Sequence, residues 1–230
     1  MSRDLPEPML REQPEQPRIS LMGTAAVLFE APGPFDLPHQ RRIWALAEYA
    51  SGLPDVREAV PGMTNLTLLF ARPPRNIAAI AQSLTEVWHS GIEVDAEGRT
   101  MELPIVYGGE TGPHLREVSH ATGLSIDDVV AIHTAPVYTV FAVGSHAGYC
   151  YLGGLDPRLF LPRRAVPLLS IPGGSLSIAG SQTGVSASAG PSGWHTIGFT
   201  DTRFFDLGRD PATLLQPGDR IHFHAQTVIR

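Results

Sequence analysis

The 230-residue chain is 43 % apolar and 17 % charged, with a formal net charge of −6. That apolar content supports one large or two small domains, and the acidic balance leaves no basic excess to neutralise phosphates, which argues against nucleic acid as a partner. All 17 basic residues are Arg, and a chain without Lys is neither a Walker-type nucleotidase, a Schiff-base enzyme nor a biotin carrier. One Cys excludes an internal disulfide and a cysteine-only zinc site, and no metal site is expected. No apolar run approaches the roughly 20 residues of a membrane helix, and no basic-then-apolar signal pattern opens the chain. A cytoplasmic protein that does not engage membranes is expected.

Residues 1–18 hold four prolines and little apolar surface, which predicts a disordered tail. From Ile19 the pattern changes. Ala25–Phe29 reads as a buried strand, and Ile43, Leu46, Ala47 and Ala50 fall at helical spacing before Gly52. Leu66–Phe70 reads as a second strand. Ile77, Ile80, Ala81, Leu84, Val87 and Trp88 form an i, i+3, i+4 stripe that ends ahead of Gly91. Residues 19–102 therefore predict a small α+β domain.

Residues 103–230 have a different texture. Glu102–Tyr107 predicts a strand, followed by short helices at about 113–122 and 126–133, with Ser125 capping the second. Val137–Val143 and Arg220–Gln226 read as strands. Between them lie short apolar pieces separated by Gly, Pro and Ser, the texture of a closed β-barrel. The predicted fold class is α+β, a small N-terminal domain followed by a barrel.

Several residue groups in the second half carry possible chemistry. Gly108–Pro113 is a Gly-rich turn before a helix, where exposed amides would suit an anion, although glycines also serve plain turns. His133 ends a helix; it reads either as a core-facing imidazole or as a general acid–base at the domain cleft. Gly148–Arg158 holds Tyr149, Tyr151 and Asp156 in a tight loop. Ile171–Ser175 and Ala179–Gly184 read as loops presenting N–H groups to a carboxylate or oxyanion. Arg163 and Arg164 form either a carboxylate clamp or a solvated basic turn. Cys150 reads as a small buried hydrophobe rather than a nucleophile. His222 and His224 share one strand face, as a solvent-facing pair.

Five strings occur in order: GGETGPHLREVSHATGLSIDDVVAIHTAPVYTVFAVG, GYCYLGGLDPRLFLPRR, VPLLSIPGGSLSIAGSQTG, GWHTIGFT and LLQPGDRIHF. Together they resemble the allophanate hydrolase subunit 1 family (carboxyltransferase domain, subdomain C and D), which includes the B subunit of bacterial 5-oxoprolinase and the sporulation-kinase inhibitors. The resemblance implies a cyclophilin-like barrel in the C-terminal half. It implies a larger subunit 2 protein as partner, similar to the 5-oxoprolinase C subunit, and a lactam-opening A subunit. It also implies use of ATP with Mg2+, bound largely with the partner, to open 5-oxoproline to glutamate. Alternatives implied by the same resemblance are a regulator that inhibits a histidine kinase, a component of a carboxyltransferase or allophanate hydrolase, and an inactive paralogue.

By matching position, His133, Gln182 and Glu110 are the expected catalytic group. Tyr151, Arg163, Gly173, Thr183 and Trp194 are the expected substrate-binding group. The chain departs from the family pattern at Ser145, His146 and Ala147, at Val185–Ala187, and at Phe199, where the family has Arg. Losing that Arg removes a guanidinium suited to a carboxylate or phosphate.

Overall fold

The structure is a computed structural model that describes residues 15–95 and 98–230. Its contacts fall into two compact units that part between residues 96 and 97. Of the predicted tail, residues 1–14 lie outside the described residues. Arg18, at the end of that segment, already stands in a strand and pairs with Glu30 at 2.6 Å.

The first unit is a four-stranded antiparallel sheet with two helices. Its strands are β1 (Arg18–Met22), β2 (Ala26–Glu30), β3 (Val56–Pro61) and β4 (Asn65–Phe70), in the order β1-β2-β4-β3. The helices are α1 (Leu37–Ser51) and α2 (Ile77–Ser90). Alternation decides which face is covered. Val27 and Phe29 on β2, and Leu66, Leu68 and Phe70 on β4, join Ile43, Leu46, Leu84 and Trp88 of the helices in one core. Asp36 caps α1 by accepting from the His39 amide at 3.0 Å, and Asn76 caps α2 through the Ala79 amide at 3.0 Å. Gly91 closes α2 at φ 71°. The edge strands β1 and β3 were not read from the sequence. Their exposed, mixed residues give no buried run to detect.

The second unit is a closed barrel of seven strands in the order β10-β7-β6-β13-β5-β12-β9. These are β5 (Thr100–Gly108), β6 (Val137–Val143), β7 (Cys150–Gly153), β9 (Ser175–Ala179), β10 (Gln182–Val185), β12 (His195–Phe199) and β13 (Arg220–Ile229). A separate hairpin pairs β8 (Leu168–Ile171) with β11 (Gly190–Ser192). The β5–β13 pair is parallel and the other barrel pairs are antiparallel. Thr100 already pairs with Arg220, so the barrel unit starts ahead of residue 103. Helices α3 (Leu115–Thr122) and α4 (Ile126–Thr134) lie between β5 and β6 in the chain. Ser125 caps α4 as expected, accepting from the Asp128 amide at 3.1 Å. Leu115, Val118, Val129, Val130 and Ile132 of these helices share the core of the barrel strands.

Two glycine motifs serve close packing. A Cβ on Gly153 would stand 2.2 Å from Phe141 Cζ. Gly174, between β8 and β9, sits at φ 89°, and a Cβ there would stand 2.0 Å from the Thr200 carbonyl oxygen. Gly174→Ala therefore meets both a left-handed backbone and a backbone clash. The expected loss is about 3 kcal/mol in urea denaturation; an unchanged midpoint would contradict this packing.

Candidate functional site

The barrel strands sort their side chains by alternation. On β7 Cys150 and Leu152, on β9 Leu176 and Ile178, and on β10 Thr183 and Val185 are buried at 1 % exposure or less. Tyr151, Ser175, Ser177 and Gly184 take the intervening positions, and the opposite face of the same strands carries them.

His133 lies on the core side. It is fully buried, packed against Phe223 and Tyr138 with ring centroids 5.1 and 5.4 Å away. Its hydrogen bonds fix the tautomer. The Thr183 hydroxyl donates its one hydrogen to the Ser177 carbonyl at 3.2 Å, so it accepts from His133 Nε2–H at 3.0 Å. The bare Nδ1 then accepts from the Tyr107 hydroxyl at 2.9 Å. A further hydroxyl, that of Tyr138, donates to the His133 carbonyl at 2.7 Å. Burial pulls the imidazole pKa down from 6.5 to about 3, so the ring is neutral. The expected cleft-facing acid–base is thus a sealed, fully partnered brace linking α4 to β5, β10 and β9. Thr183, expected to touch substrate, is part of the same brace at 0 % exposure.

On the opposite face lies a hollow of about 170 Å³. Ser175, Ser177 and Gly184 form its floor. Tyr149, Tyr151 and Trp194 form an aromatic wall, with Tyr149 meeting Tyr151 at 4.7 Å and Trp194 at 6.3 Å, both edge-on. The His146 ring lies 5.1 Å from that of Tyr149 at a tilt of 54°, and the exposed Arg163 guanidinium stands 6.0 Å from the Trp194 ring. Gly184 leaves room for the Tyr149 hydroxyl, which a Cβ there would approach to 2.8 Å. Of the expected substrate-binding group, Tyr151, Arg163 and Trp194 line this hollow.

The remaining expected residues fall elsewhere. Glu110 is exposed on the turn after β5. Gln182 opens β10 opposite Ala179 and does not line the hollow. Gly173 packs beside Ser188, whose Cα a Cβ would approach to 3.1 Å. Arg164 is turned to Glu117 in an ion pair, so the two arginines do not act as one clamp. Asp156 caps the short turn Pro157–Leu159 and binds Arg158 through both oxygens, which holds its carboxyl down at about 2. Cys150 is buried and its thiol is pushed up to about 12, which fits the buried-hydrophobe reading. His222 and His224 flank Glu102 at 3.0 and 3.9 Å on the exposed face of β13.

Several amides of the glycine-rich loops are taken up within the fold. In the first, Gly112 N–H donates to Gly108, Leu115 N–H to Gly112, and His114 N–H to Thr196. In the second, Gly174 N–H donates to Ser186 and Ser175 N–H to Pro172. In the third, Gly180 N–H donates to Leu161. The amides of Gly112, His114, Leu115, Gly174, Ser175 and Gly180 are thus partnered inside the fold, and these loops admit close backbone approach, as where a Cβ on Gly112 would lie 2.4 Å from the Ile197 carbonyl oxygen. The residues missed by sequence reasoning are Ser175, Ser177 and Ser186. The alternation Ser175-Leu176-Ser177-Ile178 was the signal that puts two of those hydroxyls on one face.

A family model for the carboxyltransferase domain, subdomain C and D, matches residues 17–215. The chain belongs to that family. It is 41 % identical over 212 residues to the 5-oxoprolinase B subunit of Escherichia coli O157:H7, covering 92 % of this chain and 97 % of that protein. The corresponding protein of Haemophilus influenzae is 38 % identical, over 89 % of this chain and 95 % of that protein. Among solved structures, a conserved uncharacterized protein from Pyrococcus horikoshii is 33 % identical with a TM-score of 0.55, covering 91 % and 98 % of the two chains. Kluyveromyces lactis urea carboxylase shares the fold at a TM-score of 0.77 and 18 % identity, over 92 % of this chain and 22 % of that one. The family inferred from the ordered motifs is the family matched, and the chain is similar to the 5-oxoprolinase B subunits along nearly its whole length.

The brace has a pH signature. Unfolded, His133 titrates at 6.5; folded, burial lowers it to about 3. Its contribution is complete above pH 6.5 and is lost as pH falls toward 3, because only the unfolded chain takes up the proton. Between pH 6.5 and 5 the wild type should lose about 2 kcal/mol more than His133→Gln in urea denaturation, at about 1.4 kcal/mol per pH unit. Equal losses in the two proteins would contradict a neutral buried ring.

Proposed function

We propose that this family member acts as the B subunit of an ATP-dependent 5-oxoprolinase, working in the cytoplasm with a larger C-like subunit and a lactam-opening A subunit to convert 5-oxoproline to glutamate. The observation that carries the reading is the similarity to two 5-oxoprolinase B subunits, at 41 % and 38 % identity over 97 % and 95 % of those proteins.

The chain's own part in this reading is a rigid barrel that offers one polar, aromatic-walled hollow beside an exposed Arg163. His133 and Thr183 are positioning residues in this scheme. They hold β10 and β9 in place, and those strands supply the floor. Tyr151, Trp194 and Arg163 contact the small molecule.

ATP and its Mg2+ do not fit the residues present. The hollow is smaller than the 300–1,000 Å³ typical of sites for drug-sized ligands, and a nucleotide is at least that large. The Gly108–Pro113 turn has its Gly112, His114 and Leu115 amides engaged, Arg230 is paired with Asp127 at 2.6 Å, and the chain has no Lys. No phosphate chemistry is therefore assigned to this chain, and the nucleotide is assigned to the partner.

Co-purifying the chain with its C-like and A-like partners should give 5-oxoproline-dependent ATP hydrolysis that disappears when this chain is omitted. Hydrolysis that proceeds equally without it, or a complete complex that ignores 5-oxoproline, would refute the assignment. ATP titrated calorimetrically into the isolated chain should give no saturable heat, and tight binding would place the nucleotide here after all.

A further inference from the structure

Arg163 and Trp194 line the hollow, and each sits between two fastened neighbours. Arg163 lies between Pro162 and Arg164, and Trp194 between Gly193 and His195. The two stretches are tied to each other. His195 Nε2–H donates to the Pro162 carbonyl at 2.9 Å, and the Arg164 amide donates to the Gly193 carbonyl at 2.8 Å. Both are also tied to α3. The Arg164 guanidinium donates to the Glu117 carboxylate, whose other oxygen faces His195 Nδ1 at 3.4 Å.

The helix that carries Glu117 is firmly seated. Leu115 and Val118 bury its inner face in the barrel core. His114, directly before the helix, holds Thr196 twice: its amide donates to the Thr196 carbonyl at 3.0 Å, and its Nδ1 accepts from the Thr196 amide at 2.8 Å. The Glu117–Arg164 pair is partly sheltered, at 48 % and 19 % side-chain exposure, so salt screens it less than an open surface pair. Arg163 itself is exposed and stands 6.0 Å from the Trp194 ring, the outer limit of a cation–π contact. A side chain so lightly held pays rotamer entropy when a ligand fixes it, and a backbone fastened on both sides lowers the ordering cost.

We propose that Glu117 is a positioning residue for Arg163. Through Arg164 and His195 it holds the Pro162–Arg164 stretch against the start of β12, so that Arg163 is in place at the hollow before a ligand arrives. Glu117 touches no ligand itself. That Arg163 meets a ligand rests on the function proposed above; the fastening does not.

Two measurements test the role. In the assembled complex, Glu117→Ala should raise KM for 5-oxoproline about three- to tenfold with kcat changed by less than about twofold, the pattern of one lost binding contact. Introduced on top of Arg163→Met, the same substitution should add less than about twofold, because the residue it positions is gone. In the isolated full chain, Glu117→Ala should lower the heteronuclear NOE of the Arg163 and Trp194 backbone amides and leave those of Leu115 and Val118 at their wild-type values. Arg164→Met should reproduce both results, and it carries the test if Glu117→Ala does not fold.

Unchanged NOE values at Arg163 and Trp194 overturn the proposal whatever the complex does. An active complex that keeps the wild-type KM also overturns it, as does a Glu117→Ala factor that is the same with and without Arg163. In those cases the 5-oxoprolinase reading still stands. A wild-type complex that is inactive, together with lowered NOE values, supports the positioning and removes the 5-oxoprolinase reading.

Discussion

The two-residue repeat of a β-strand in a closed ring is the constraint on which the rest depends. Each residue of β7, β9 and β10 faces either the core or away from it, and a slip of one position would exchange the two sets. Leu176 and Ile178 commit β9 to one register; Leu152 and Val185 do the same for β7 and β10. Once those are buried, Ser175, Ser177, Tyr151 and Gly184 have no choice but to stand together on the other side. The hollow is therefore a consequence of how the core packs.

The buried imidazole strengthens that register. A run from Tyr107 through His133 and Thr183 to the Ser177 carbonyl crosses four elements, and each donated hydrogen along it has one acceptor. Such a network is costly when partly made and specific when complete. It ends on the backbone of Ser177, whose side chain belongs to the opposite face. The core thus fixes the height of the hollow's floor through a single residue. His133 stands fully buried at the centre of this run and does not line the hollow.

Much of the fold was legible. The stripe from Ile77 to Trp88, the cap at Ser125 and the alternation of Val137–Val143 each appear where the residues predict. The edge strands β1 and β3 were not, because half-exposed strands bury too little to leave a hydrophobic signature. The site was legible only in part. Tyr151, Arg163 and Trp194, singled out by their motif strings, line the hollow. His133, Glu110 and Gln182 stand away from the hollow, and His133 is held as a neutral donor–acceptor inside the barrel, a placement that a motif string does not reveal. The glycine loops misled in the same way: a Gly in a tight turn reads identically whether its amide meets a ligand or a neighbouring carbonyl, and here Gly112, Gly174 and Gly180 meet carbonyls. Ser175 was hidden by its plainness, although its period-two spacing with Ser177 was in view.

Under the proposed function, this member of the carboxyltransferase subdomain C and D family divides support from recognition across the thickness of one barrel wall. Amide and side-chain NMR shifts on adding 5-oxoproline to labelled protein test that separation most directly. Changes are expected at Ser175, His146, Tyr149 and the Trp194 indole, with the ring signals of His133 and Tyr107 unmoved. Shifts concentrated at His133, Tyr107 and Thr183, with the hollow silent, would contradict it.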